Sequence, residues 1–161
     1  MPQKAALVVI DMQDDYEISE DEKLLNNVIK HIRMAKKAEA PIVVLEYVGM
    51  GSTREKILDE LENYEQCRFT GKVRSDGSTQ VKEVLSSAFG IKSGLVKACG
   101  IFSSDCVKAT VEGLVDKGFR VNVVEEACGA WSLYHKEAMK SLRTMKNAKV
   151  VYVGPDYRGN F

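Results

Sequence analysis

CGIFSSDCVKATVEGL, residues 99–114, decides how the chain is read. Its opening residues close an apolar, β-rich run (94–102). Ser103, Ser104 and Asp105 are all residue types that cap helix N-termini, and Val107, Val111 and Leu114 then recur at helical spacing. The stretch reads as strand, tight turn and helix, with Cys106 in the first helical turn. Unpaired amides and the helix dipole favour a thiolate there, so this cysteine is expected to have a depressed pKa and act as a nucleophile. On position alone, a packing cysteine at a helix start is the alternative.

Working outward, the same unit repeats. Apolar β-rich runs occupy 5–11, 41–48, 66–72, 94–102, 119–127 and 148–154, several of them near-continuous Val, Ile and Leu. Such runs suit strands buried on both faces of a parallel sheet. Helical patterns lie between them. In 20–38, Leu24, Leu25, Val28, Ile29, Ile32 and Ala35 form one stripe, with Ser19 and Glu22 spaced as a capping box. Ser52 and Glu55 repeat that spacing before Ile57, Leu58 and Leu61. Further helices are expected over 78–89 (stopped by Gly90), 104–117 (burying also Val115, stopped by Gly118) and 131–146 (using Tyr134, Ala138, Leu142 and Met145). The fold class is α/β: one domain over 1–161, three α/β/α layers around a mostly parallel, six-stranded sheet.

Composition limits the function. The 161 residues are 45% hydrophobic and 29% charged, an ordinary globular balance. Lys plus Arg equals Asp plus Glu at 23 each, so no general field draws nucleic acid or an anionic membrane. No run reaches the ~20 apolar residues of a membrane span. MPQKAALVVID at the start reads as a first strand, not a signal peptide. The cysteines at 67, 99, 106 and 128 form no CxxC pair and show no metal spacing, so reduced thiols in the cytoplasm are expected. Cys67, Cys99 and Cys128 read as packing residues.

Open α/β sheets bind ligands beyond the carboxyl ends of their strands. Those ends carry Asp11, Glu46, Lys72, the 102–106 turn and Glu125–Glu126. Asp11 alone would be a sheet-edge carboxylate, and Lys72 alone a solvated lysine. Together with Cys106 they make a set. Asp11 takes the thiol proton, Lys72 orients Asp11, and helix-start amides bind the oxyanion formed when sulfur attacks a carbonyl.

With these residues the sequence resembles the isochorismatase-like cysteine hydrolases, which include nicotinamidases and carbamoyl-amide hydrolases. The resemblance runs from ALVVIDMQDDY through GKVRSDGS to CGIFSSDCVKATVEGLVDKGFRVNVVEEACGA. Asp11, Gln13, Asp15 and Tyr16 match the family's opening motif. Gly100, Cys106, Val107, Ala109 and Thr110 match its nucleophile motif. The resemblance implies Asp11 as general base, Lys72 as orienting cation and Cys106 as nucleophile. It also implies a cis peptide at Ile101–Phe102, with the amides of Phe102 and Cys106 forming the oxyanion hole. Gln13, Tyr16 and Trp131 are expected around the substrate. A homo-oligomer, dimer or tetramer, follows from the family's habits.

Departures from the family narrow the reading. Phe102 is larger than the residue usual after the cis bond. EYVGMGSTREK contains no histidine, so the metal site of nicotinamidases is absent; no zinc, iron or other cofactor is expected, and nicotinamide is disfavoured as substrate. The expected activity is metal-independent hydrolysis of a small amide, carbamoyl or ureido C–N bond through a thioester. The alternatives are a fold relative that only binds a ligand or partner, and a receiver-like regulatory module. The latter needs an aspartate where VVLEYVG offers Glu46. His135 reads as a helix-face histidine with a hydrogen-bond partner, His31 as unremarkable, Asp14–Asp15 as a solvated turn, and Gly49 and Gly51 as no phosphate loop.

Overall fold

A computed structural model describes residues 5–153 and 161. Its elements alternate as β1 (Ala6–Ile10), α1 (Glu22–Lys37), β2 (Ile42–Tyr47), α2 (Glu55–Leu61), β3 (Cys67–Lys72), α3 (Ser78–Phe89), β4 (Gly94–Ile101), α4 (Lys108–Asp116), β5 (Phe119–Gly129), α5 (Ser132–Arg143) and β6 (Ala148–Val151). The sheet order is β3-β2-β1-β4-β5-β6, and every pairing is parallel. From β1 the chain winds outward first to β2 and β3, then returns to β4 and continues to the other side. The β1/β4 boundary is therefore the switch point where such sheets open a crevice.

Alternation along each strand assigns the two faces. Val8, Ile10, Val43, Leu45, Val96, Ala98, Val121 and Val123 pack on Val81 and Leu85 of α3, Val111 and Leu114 of α4, and Met139 and Leu142 of α5. Leu7, Val9, Ile42, Val44, Cys99 and Ile101 pack on Leu25, Val28, Ile32 and Ala35 of α1 and Ile57 and Leu61 of α2. Both faces of β1 and β2 are buried, which is why those strands carry unbroken apolar runs.

Several local expectations are corrected. Asp21, not Ser19, caps α1, accepting the Leu24 amide at 2.8 Å. Ser19 is buried in a short 3₁₀ turn, where its hydroxyl donates to the carbonyl oxygens of Gln13 and Tyr16. Ser52 caps nothing: the N-cap of α2 is Arg54, without a side-chain bond. Tyr134 is exposed, and Met139 fills the core instead: α5 buries Ala138, Met139 and Leu142, all in its second half. Gly90 does end α3 in the left-handed conformation.

His31 is also not an unremarkable surface residue. It is fully buried, with Nε2 3.1 Å from Glu126 Oε1. Glu126 in turn accepts the Val153 amide. Burial pushes the His31 imidazole below its ordinary 6.5, against the pull of Glu126 and with help from Lys30 and Lys97. The ring binds its proton less readily folded than unfolded. Its stabilising contribution is thus fully present above 6.5 and is lost as pH falls below it. Urea unfolding between about pH 7.5 and 5 should show that decline, and His31→Gln should flatten it.

Candidate active site

Asp11 follows β1 directly, with φ of 54°, a left-handed conformation that aspartate tolerates better than most residues. Its amide donates to Leu45 O at 3.1 Å and its carbonyl accepts the Gln13 amide at 2.8 Å, turning the chain off the sheet. The carboxylate stays behind, buried at the switch point.

Lys72, at the end of edge strand β3, is the largest fully buried side chain and not a solvated lysine. Its Nζ lies 3.0 Å from Asp11 Oδ2, donates to Arg74 O at 3.0 Å, and sits 4.5 Å from the centre of the Tyr47 ring. Gly77 makes room for it: a Cβ there would stand 2.8 Å from Lys72 Cδ and 2.7 Å from Leu45 Cδ1. Neither Asp11 oxygen has a fully aligned hydrogen bond, so the ammonium pairs with the carboxylate by charge and proximity. The other polar neighbour of that carboxylate is the Cys106 thiol.

Cys106 lies in a turn of π-helix, Ser103–Val107, that precedes α4. Val107 N–H donates to Phe102 O at 3.0 Å across five residues, and Asp105 N–H donates to the same oxygen at 3.0 Å. No side chain caps this turn, so Ser103, Ser104 and Asp105 do not play the capping role expected of them. The Ile101–Phe102 peptide is cis.

The expected depressed thiol pKa is overturned. Burial, then the Asp11 charge, pushes the Cys106 thiol up to about 12, and Lys72 offsets only part of this. Burial and the carboxylate beside the sulfur outweigh what the Lys72 cation and a helix start can offer a thiolate. Asp11 is raised too, by burial, with Cys106 and Lys72 opposing the rise. The resting site therefore holds a protonated thiol beside a carboxylate with heightened proton affinity.

The remaining expected pocket residues separate. Tyr16 packs edge-on against Phe102, with ring centres 5.5 Å apart and planes at 89°. Burial and then the nearby Asp11 charge push its phenol up to about 12, so it borders the same site. Gln13 is fully buried, with its amide turned to backbone groups. Its Nε2 donates to Tyr47 O and Gly51 O, both at 2.9 Å, and its Oε1 accepts the Tyr47 amide at 2.7 Å. Every polar atom of that amide is used to tie the β1 exit to the β2 exit. Trp131 is 64% exposed and lines a cleft of about 980 Å³ with Ile18, Leu24, Cys128 and His135. Asp11, Lys72 and Cys106 do not line this cleft; it flanks the π turn on the α5 side.

Two contributors were not anticipated. Tyr47 supplies the ring beneath Lys72, and an aromatic at a strand's carboxyl end was the available signal. Ser103 bonds His135, across 32 positions, a contact no local pattern encodes. Glu46 is spent on Thr53, accepting its amide and hydroxyl at 2.9 Å each. Among the described residues, no three His, Cys, Asp or Glu side chains converge as metal ligands.

Residues 5–153 match the isochorismatase domain. Isochorismatase domain-containing protein 2 of Xenopus laevis is 29% identical over 133 residues, and an uncharacterized isochorismatase family protein of Bacillus subtilis is 27% identical over 145. Each match covers 80% of this chain, which spans 62% of the length of the first relative and 79% of the second. A nicotinamidase from Staphylococcus aureus superposes with a TM-score of 0.77 at 19% identity, covering 94% of this chain and 100% of that one. The MAR1 ribonuclease of Caenorhabditis elegans gives 0.78 at 20%, covering 98% and 85%. An octameric Escherichia coli hydrolase of unknown specificity gives 0.75 at 20%, covering 92% and 75%. The switch point between β1 and β4, with the thiol turn after β4, thus sits in a chain matched over nearly all its described length: it belongs to the isochorismatase domain family and has that family's hydrolase fold.

Proposed function

We propose that this chain is a cysteine hydrolase cleaving a small amide, carbamoyl or ureido C–N bond through a thioester on Cys106. The observation that most supports the reading is the buried Asp11–Lys72 pair, 3.0 Å apart, beside the Cys106 thiol at the sheet's switch point. With a thiol pushed up to about 12, a standing thiolate is not the working species. Proton transfer to Asp11 accompanies attack: Sγ bonds the carbonyl carbon as Asp11 takes the thiol proton. The oxyanion rests on the Phe102 and Cys106 amides. As the C–N bond breaks, Asp11 returns the proton to the leaving nitrogen. Asp11 then deprotonates a water that attacks the thioester, releasing the acid and restoring the thiol. Lys72 keeps Asp11 ionised between these transfers. Tyr16 and Phe102 wall the site, and Trp131 stands over the adjoining cleft. No metal enters these steps, since thiol and carboxylate supply the nucleophile and the base.

The octameric E. coli relative supports a homo-oligomer, which light scattering would measure. A panel of small amides, carbamoyl and ureido compounds is expected to yield at least one that releases ammonia or amine. Cys106→Ala should abolish that release, and acid quenching should trap an acyl adduct on Cys106 by mass spectrometry. Release at the same rate from Cys106→Ala would sink the reading. With no turnover at all, the same fold would serve as a binding module, the state that the protonated thiol alone would favour.

A further inference from the structure

The π turn that carries Cys106 has no side-chain cap of its own, yet its first residue is anchored from another element. Ser103 is fully buried, and its Oγ lies 2.7 Å from His135 Nδ1. His135 sits in the first turn of α5, where its amide donates to Trp131 O at 2.9 Å, so the ring is mounted on a helix. Ser103 directly follows Phe102, whose amide is one of the two oxyanion donors assigned above. The turn's internal bonds both end on Phe102 O. They fix the far side of that residue's peptide; Cys106 and Val107 pack into the core, and Ser103 adds a side-chain hydrogen bond from the start of the turn to α5.

We propose, resting on the hydrolase reading, that His135 is a positioning residue for catalysis: through Ser103 it holds the 102–106 turn so that its amides meet the oxyanion. The neutral ring, protonated on Nε2, accepts the Ser103 hydroxyl proton at Nδ1. Burial holds the ring below its ordinary 6.5, which favours that neutral form. His135 also lines the cleft with Trp131, so substrate in the cleft would touch the element that sets the turn.

Two reagents on Cys106 separate this role from simple thiol exposure. p-Nitrophenyl acetate forms the S–C bond of a thioester and expels p-nitrophenolate, while the thiol proton passes to Asp11; this route passes through an oxyanion. Iodoacetamide is displaced at a saturated carbon, with iodide leaving and no oxyanion formed. His135→Ala is expected to slow acylation by about tenfold or more, while alkylation stays within about twofold. Ser103→Ala should do the same, and the double variant should be no worse than either single one. His135→Asn places an amide oxygen where Nδ1 stood and should restore acylation; His135→Gln, whose amide reaches the Nε2 position, should not. Melting temperatures of the five variants control for folding. Equal losses in both reactions, no loss in either, or rescue by Gln and not Asn would overturn the proposal. If p-nitrophenolate release by the unsubstituted protein does not depend on Cys106, the hydrolase reading falls and this role with it. Cys106-dependent acylation indifferent to His135→Ala defeats only this role.

Discussion

Asp11→Asn is expected to cut amide turnover by about 10²–10⁴-fold while making Cys106 easier to alkylate. The two effects run in opposite directions because Asp11 does two things. Its charge is one of the forces holding the thiol at about 12, so removing it lowers the thiol pKa. Iodoacetamide consumes thiolate, and its rate at pH near 8 should therefore rise. An amide, however, cannot expel its nitrogen without a proton, and Asn cannot carry one from sulfur to nitrogen. Lys72→Met supplies the contrast. Loss of the cation that offsets the rise sends the thiol pKa further up, and alkylation should slow. That variant also leaves a buried carboxylate unpaired, which typically costs about 3–5 kcal/mol. Measuring amide turnover and alkylation on the same preparations decides the matter. Parallel falls in Asp11→Asn would show that Asp11 only shapes the site.

Among the described glycines, Gly100→Ala is expected to be the most damaging single added methyl. Gly100 pairs with Ile10, next to Asp11, in the β1/β4 register. Its φ is 122°, a region L-residues rarely adopt, and a Cβ there would lie 2.1 Å from Ile10 O and 2.7 Å from Ile10 N. Those are backbone atoms of the central strand and cannot swing aside. The strain should exceed about 4 kcal/mol, a large share of the roughly 5–15 kcal/mol that stabilises a domain. Gly90→Ala is the control. Gly90 is also left-handed, at 66°, but nothing lies within 4 Å of the added methyl, so the loss should stay near 1–2 kcal/mol, about the cost of left-handed backbone alone. Urea unfolding of both variants reads the difference. Equal losses would mean that the close approach of β4 to β1 contributes nothing.

The layers and parallel character of the sheet follow from features a sequence displays openly, whereas its strand order came from the structure. Runs such as ALVVI and IVVL bury on two faces only in a parallel sheet, and a parallel sheet needs helical crossovers between its strands. Asp11 and Cys106 were legible for the same reason: strand ends are where apolar runs stop, and chemistry-bearing residues stand out there. Lys72 was visible only as a lysine on a weak strand, because β3 is an edge strand whose residues are exposed or half-buried until Lys72, its last, is buried. Helix caps misled at Ser19 and Ser103 because their hydroxyls bond elsewhere, Ser19 to the Gln13 and Tyr16 carbonyls and the Arg54 guanidinium, Ser103 to His135.

By itself, then, the sequence determined the α/β/α architecture and placed Asp11 and Cys106 at strand ends as candidates, since each depends on local periodicity and punctuation. Only the tertiary structure decided how those groups are tuned. A pKa answers to burial and to charges brought together from β1, β3 and the turn after β4. That convergence raises the thiol where the helix start alone predicted a fall. It also made Gln13 a tie between strand exits and joined Ser103 to His135 across 32 positions. Contacts of such sequence separation have no local signature; they exist once the sheet has formed.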